Sequence, residues 1–371
     1  MEILAINVGS STIKCWFGEA SPAGQVTEKK RVQAEIASVE DVEPALQRLL
    51  PPGWKAGAVA HRIVHAGPEY RQTTWLTPPV RAAIAAHSEF APAHNRLELA
   101  AIAAMDKILP DPSRQVAVFD TAFHATLPPE AYVYPGPRDW EERGIRRYGF
   151  HGINYAHVSR RAAEMLGRPL ASLRLIACHL GNGASLAAIR DGNSVDTTMG
   201  FTPADGLMMG SRCGSLDPGI AVTLLRHGGY DAERLDRVVN QESGLKGVSG
   251  VSGDMREVVE AMGKGNARAK LAFEIYMHRL YRETGAMLAV LGGMDAIVFT
   301  GGIGENCAPL RERLCAQLGF LGVRLDRAKN ADARPDVEIA AADSTVSVLV
   351  IRADEELEMA RECARLAATS S

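Results

Sequence analysis

Two short segments of the chain share one design. Ile3-Leu4-Ala5-Ile6-Asn7-Val8-Gly9-Ser10-Ser11-Thr12-Ile13-Lys14 and Leu175-Ile176-Ala177-Cys178-His179-Leu180-Gly181-Asn182-Gly183-Ala184-Ser185-Leu186 each read as an apolar strand, a tight polar turn, and a second strand. Turns of Gly, Ser and Asn present backbone N–H groups and small hydroxyls without obstruction, which suits a phosphate oxygen. Occurring twice, the hairpin predicts a duplicated, two-lobed α/β fold that holds ATP between its lobes.

The rest of the chain is consistent with that size and class. A length of 371 residues allows two domains with separate cores. Strand-like runs (Ile3–Val8, Ile13–Phe17, Gly57–Val64, Gln115–Phe119, Arg174–Cys178, Ser185–Ile189, Asp295–Thr300, Thr345–Ile351) alternate with helical ones. The helical runs are Arg96–Ile108, Tyr155–Leu166, Pro218–Arg226, Asp254–Met262, Ala267–Leu291 and about Asp354–Leu366. The lobe boundary is expected near His151. Residues 1–150 would then form a first lobe, joined by a final helix over 354–371, and residues 151–353 a second, nucleotide-binding lobe. The loops over 121–147 and 196–217 are long and rich in Pro and Gly, as site-bearing loops often are.

Charge and cysteine content exclude several functions. The net charge of -3 without a basic tract argues against nucleic-acid binding. No apolar run reaches the ~20 residues of a membrane span. The N-terminus begins directly with a strand, and six scattered cysteines without a Cys-x-x-Cys pair suit a reducing, cytoplasmic setting.

Candidate site residues gather at strand ends and glycine-rich turns. Lys14 could pair with phosphate and Asn7 lie near a metal; the plain alternative is an ordinary Gly-Ser hairpin. Phe299-Thr300-Gly301-Gly302-Ile303-Gly304-Glu305-Asn306 follows a strand and opens a helical pattern, so a ligand could approach its backbone. No Gly-x4-Gly-Lys-Ser/Thr motif occurs, which disfavours a Walker-type site. Arg62 sits inside an apolar strand and Arg212 inside a glycine-rich loop, unusual places for a lone arginine. Phosphoryl transfer needs such positive groups aimed at the transferring oxygens, and His151 could act likewise. Asp120 ends a strand, where it could serve a site or merely cap a turn. His61 and His65 have metal-like spacing on a helix, but they lie in a strand, so no metal site is expected there.

In these segments, from residue 3 to about 356, the chain resembles the acetate kinase family. The matching stretches include Ile6–Ser11, His61–His65, Val118–His124, Arg147–Gly152, His179–Gly183, Met199–Pro203, Ser252–Arg256 and Gly302–Asn306. The resemblance implies an acetate and sugar kinase/Hsp70/actin-type fold with ribonuclease H-like lobes and a cytoplasmic homodimer. It implies reversible, magnesium-dependent phosphoryl transfer from ATP to acetate, giving acetyl phosphate and ADP, with manganese as an alternative metal. By the same resemblance Asn7 and Glu355 would bind the metal. Lys14, His179, Leu180, Gly181, Asn182, Gly183, Asp254, Met255, Arg256, Gly302, Ile303, Gly304, Glu305 and Asn306 would hold the nucleotide. Arg62 would bind the substrate carboxylate; Val64, Ala93, Phe150 and Pro203 would line the acetate pocket. Asp120 would be the catalytic acid/base, with His151 and Arg212 stabilising the transition state.

Two departures stand out. The family's Ala-Pro-Leu-His-Asn reads Ala91-Pro92-Ala93-His94-Asn95 here, followed by Arg96 where proline is usual. The smaller Ala93 would leave space, so a propionate- or butyrate-preferring acyl kinase is the alternative. Ser215 stands where an aspartate is common. An alcohol kinase of the same fold would need Asp120 as a base, and a nucleotide switch would not need Arg62, Asp120, His151, Arg212 and Glu355 together.

Overall fold

The computed structural model describes residues 1–9, 11–51, 53–54, 57–88, 92–109, 111 and 114–369, with the backbone alone for 92–94. The chain divides into two compact units. The first comprises Met1–Ala125, Phe150–His157 and Asp354–Ser371; the second comprises Thr126–Gly149 and Val158–Ala353.

The first unit is built on a six-stranded mixed sheet. Its strands are β1 (Glu2–Val8), β2 (Thr12–Ala20), β3 (Val26–Glu35), β4 (Ala58–Ile63), β5 (Thr74–Trp75) and β6 (Gln115–Phe119), in the order β3-β2-β1-β4-β6-β5. Successive side chains of a strand point to opposite faces. Leu4, Ile6 and Val8 therefore pack on one side, with Val42, Leu46, Leu97 and Met105 from the helices Val42–Leu49 and Pro92–Ile108. Ile3 and Ala5 pack on the other, with Met359, Ala360 and Cys363 of the helix Glu355–Thr369. With both faces covered, β1 is apolar from Ile3 to Val8 except for Asn7. Asn7 shares the face of Ile3 and Ala5, the side on which the last helix begins.

The second unit repeats this plan. Its strands are β7 (Arg174–Leu180), β8 (Ala184–Arg190), β9 (Asn193–Thr197), β10 (Ala296–Thr300), β11 (Val337–Glu338) and β12 (Ser347–Val350), in the order β11-β12-β10-β7-β8-β9. In each unit an antiparallel hairpin carries a third antiparallel strand on one side. On the other side two parallel strands follow, and a short antiparallel strand closes the edge. Each hairpin of the duplicated motif thus lies at the centre of its own sheet. The 25-residue helix Ala267–Leu291 packs beside β8 and buries Phe273, Tyr276, Leu280 and Met287. Asn266 caps its start by accepting from Arg268 and Ala269 N–H, and Gly292, at φ +68°, ends it.

Every strand and helix expected above appears, with ends shifted by a few residues. The structure adds β3, β5, β9 and β11 and the helices Val42–Leu49, Pro78–Ala86, Ala232–Gln241 and Ala308–Gln317. β3 reads Val-Thr-Glu-Lys-Lys-Arg-Val-Gln-Ala-Glu and is mostly exposed, so it lacks the apolar alternation that betrays a strand. It is an edge strand, where charge blocks unwanted pairing.

Candidate active site

In the first unit the expected residues converge at the ends of β1, β4 and β6. Arg62, on β4, donates to Asp120 through Nη2 at 2.6 Å from Oδ2 and through Nε at 3.2 Å. Asp120 is fully buried and Arg62 nearly so, with side-chain exposures of 1% and 13%. Burial works against the Arg62 charge, but the fields of Asp120 and Glu355 outweigh it and hold the guanidinium firmly protonated. Burial likewise pushes the Asp120 carboxyl up, against the opposing pull of Arg62.

Asp120 occupies the side of the guanidinium formed by Nε and Nη2. The outer edge, Nη1 and Nη2, carries the remaining N–H groups, and Nη1 also reaches Asn7 Oδ1 at 3.2 Å. A planar fork with donors to spare on its outer edge suits an incoming carboxylate. His151 completes the frame: its backbone N–H donates to the Asp120 carboxyl, and Gly152 N–H donates to the Asp120 carbonyl at 2.8 Å. His151 adopts φ +58°, a left-handed conformation that costs a non-glycine residue about 1 kcal/mol or more. That turn points the His151 N–H at Asp120. Val64 and Phe150 are buried, and the Phe150 ring lies 5.9 Å from the ring of His65, the residue after Val64. The side chain of Ala93 lies outside the described residues.

Asn7 Nδ2 donates to Glu355 Oε2 at 2.9 Å and to Glu356 Oε1 at 2.7 Å. Glu356 was not among the residues singled out in the sequence. Its carboxyl is buried and pushed up by that burial and by Glu355, with Lys14 pulling the other way. Lys14 faces Asn7 across the hairpin in register. Two carboxylates and an amide oxygen are hard oxygen donors of the kind magnesium takes. Among the described residues, no group of three or more His, Cys, Asp and Glu side chains is arranged to hold a metal by itself.

In the second unit a cavity of about 940 Å³ opens beside the second hairpin. That volume accommodates a nucleotide-sized ligand. Gly181, Asn182, Asp254, Met255, Arg256, Gly302, Ile303 and Asn306 line it, as do Gly253, Val259, Glu260, Cys307 and Pro309, which the sequence reading did not single out. His179 and Leu180 lie on β7, which leads into the cavity, and Gly183 follows in the turn. Gly301, at φ +77°, brings the end of β10 against Leu180, where a Cβ would sit 2.8 Å from the Leu180 carbonyl oxygen. Glu305 accepts from Gly301 N–H at 3.1 Å and Ala353 N–H at 2.8 Å, so it ties the glycine turn down. Gly304 is buried under that turn.

Arg212 lies in the second unit, in the irregular stretch 198–217. Its Nη1 donates to the Pro203 carbonyl at 3.3 Å. Backbone and side-chain bonds hold the stretch in place: Arg147 Nη1 donates to the carbonyls of Thr197, Thr198 and Met199, each at 3.0 Å. Gly210 N–H donates to the Asn182 carbonyl at 3.0 Å, linking the Arg212 loop to the second hairpin. Ser215 Oγ donates to Asp205 at 2.7 Å and accepts from Gly206 N–H at 3.1 Å. The serine therefore anchors this loop internally.

The sequence model of the acetokinase family matches residues 47–361. The chain is 57% identical over 305 residues to an acetate kinase from Gloeobacter violaceus, covering 82% of this chain and 75% of that one. It is 57% identical over 318 residues to an acetate kinase from a Synechococcus strain, covering 86% and 78%. Among solved structures it is similar to Porphyromonas gingivalis acetate kinase, at TM-score 0.86 and 37% identity over 99% of both chains. It is equally similar to a propionate kinase from Francisella tularensis, at TM-score 0.87 and 35% identity over 97% of this chain and 98% of that one.

Proposed function

The chain belongs to the acetokinase family, and on that premise we propose which of its residues perform the family's reaction. The reaction is reversible phosphoryl transfer from ATP to acetate, giving acetyl phosphate and ADP. The observation that carries the assignment of roles is the buried Arg62–Asp120 pair with Asn7 and Glu355 beside it.

Acetate is ionised near neutral pH, since carboxyl groups titrate near ~4, so no base is needed to make it a nucleophile. The difficulty lies in joining two anions. Arg62 holds the acetate carboxylate through its outer edge, with Val64, Ala93, Phe150 and Pro203 around the methyl group. Asp120 acts by fixing the guanidinium, and its burial against Arg62 supports this reading over proton transfer. His151 and Arg212 stabilise charge on the transferring phosphoryl group, a role in which one arginine contributes ~10³ or more in rate. The nucleotide occupies the cavity lined by Gly181, Asn182, Asp254, Met255, Arg256, Gly302, Ile303 and Asn306. His179, Leu180, Gly183, Gly304 and Glu305 shape its walls, and Lys14 meets the terminal phosphates. The first unit serves as the carboxylate lobe and the second as the nucleotide lobe.

Magnesium would be held by Asn7 and Glu355, with Glu356 behind them, and would neutralise phosphate charge. The six cysteines are free thiols, consistent with a reducing cytoplasm, and no described helix is long and apolar enough to cross a membrane. A homodimer is supported by the helices Pro218–His227 and Ala232–Gln241, which bury no side chain. The first exposes Ile220, Val222 and Leu225, and the last two share one face.

Hydroxylamine trapping of acyl phosphate, with kcat/KM for acetate, propionate and butyrate in parallel, tests the assignment. Acetate preference is expected. Equal or higher efficiency on propionate would favour the broader acyl kinase, a reading supported by the likeness to a propionate kinase. No product from any of the three would overturn it.

A further inference from the structure

Arg62 is surrounded by more acid than it can neutralise. Asp120 bonds it directly, Glu355 lies 3.8 Å from Nη1, and the field of a third carboxyl, Glu98, also reaches it. Glu98 lies on the helix Pro92–Ile108 and is only 1% exposed. Its Oε2 accepts from the backbone N–H of Val64 at 3.1 Å, two residues beyond Arg62, while its Oε1 has no hydrogen-bond partner. With all three carboxyls ionised, this buried region would carry a net negative charge before an anionic substrate arrived. A buried anion without a paired cation is strongly disfavoured.

We propose that Glu98 is a positioning residue for the substrate carboxylate: in its neutral form it holds the backbone of Val64 behind the acetate pocket and leaves the charge of Arg62 to the incoming anion. This rests on the reading that Arg62 binds that anion. Ionised, Glu98 would compete for the same guanidinium and repel the substrate.

Among the described residues, the titratable and charged groups facing Glu98 can be named by element. β4 brings Arg62, and the residue after β6 is Asp120; both act on Glu98. His65, after β4, is held neutral by burial, with its pKa lowered to about 3. His87, which ends the helix Pro78–Ala86, stacks on His65 at 5.6 Å. β1 meets the Glu98 helix through apolar side chains, and the helix Val42–Leu49 does so apart from the outer Glu43–Lys107 ion pair at 2.6 Å; the helix Pro78–Ala86 adds Arg81, which pairs with Asp106 at 2.7 Å. Burial raises the Glu98 carboxyl to about 8, opposed by Arg62 and by the Val64 bond.

The test is the KM for acetate from about pH 6 to about pH 10, in the wild type, E98Q and R62A, with the KM for ATP as control. In the wild type the acetate KM should rise above about pH 8, approaching about tenfold per pH unit. Glutamine keeps an acceptor for Val64 but cannot ionise, so E98Q should lose that rise, with the KM for ATP unchanged. A rise that survives in E98Q, or a wild type without one, overturns the proposal. R62A separates the premise: if it leaves the acetate KM unchanged at neutral pH, the role of Arg62 is what fails. Should E98Q not fold, calorimetry of acetate binding to the wild type near pH 8, in two buffers of different ionisation enthalpy, replaces it. Proton uptake is expected on binding, and its absence overturns the proposal.

Discussion

Arg311 grips Asn330 at both ends. Its Nε donates to the side-chain Oδ1 at 2.8 Å and its Nη2 to the main-chain carbonyl at 2.9 Å. The remaining nitrogen, Nη1, donates to the carbonyls of Gly304 and Glu305, each at 2.8 Å. A buried arginine thus satisfies the end of the glycine turn that borders the cavity of the second unit.

Replacing Arg311 by methionine keeps most of the apolar volume and strands four buried acceptors. The variant should lose ~2–4 kcal/mol of stability. If the cavity beside that turn holds the nucleotide, its KM for ATP should rise while its KM for acetate stays put. Urea melts and steady-state kinetics check both. A change confined to acetate would contradict the positioning role.

Arg62 and Arg212 should divide the chemistry. R62A is expected to raise the acetate KM more than it lowers kcat, since the interaction is already made to the bound substrate. It also leaves Asp120 buried without its cation, so a stability loss of ~3 kcal/mol accompanies it. R212A should lower kcat by ~10³ with little change in KM. Equal effects on both constants in both variants would refute the division.

Stability should have a pH optimum set by buried groups. For Glu98 the folded pKa lies above the unfolded one, about 8 against an ordinary 4.5. Its stabilising contribution is complete below about 4.5 and is lost as pH rises through 8. His61 is the mirror case: burial lowers it from 6.5 to about 4, despite the Gln115 bond at 2.7 Å. Its contribution is complete above about 6.5 and is lost as pH falls through 4. Denaturant midpoints should therefore stay level between about pH 4.5 and 6.5, where the two slopes oppose each other, and fall from there to about pH 8 through Glu98; E98Q should remove much of that loss, a few kcal/mol. An unchanged alkaline arm in E98Q would show that Glu98 does not ionise there.

The exposed face of the helix Pro218–His227 predicts self-association. Val222→Glu with Leu225→Glu places two charges where apolar side chains lie open. The pair should convert a dimer to a monomer in light scattering, with little effect on the melting temperature of the monomer. A double variant that remains dimeric would place the contact elsewhere.

Much of this was legible because the informative residues interrupt local rules. Asn7 breaks an apolar strand and Arg62 breaks another, and both turned out to lie where strands of one sheet end together. The paired hairpins announced the duplicated fold, because a tight turn between two strands needs small residues wherever it occurs. Arg311 and Glu98 were illegible for the opposite reason. Each sits in an amphipathic helix among ordinary charges, and only packing shows that its side chain points inward. Glu356 stood beside Glu355 in plain view, but two neighbouring acids at a helix start look like routine pairing with the helix dipole. β3 was hidden by its charges, which belong to an edge.

The bonds from Asn7 to Glu355 and Glu356 join residues 348 and 349 positions apart. During synthesis, β1 leaves the ribosome long before the helix that covers its polar side. Until Glu355–Thr369 emerges, one face of the central sheet of the first unit is bare and its carboxylates are missing. The order of translation therefore leaves the polar end of β1 without its partners until the helix Glu355–Thr369 has been made, and the core of the first unit cannot close before that point.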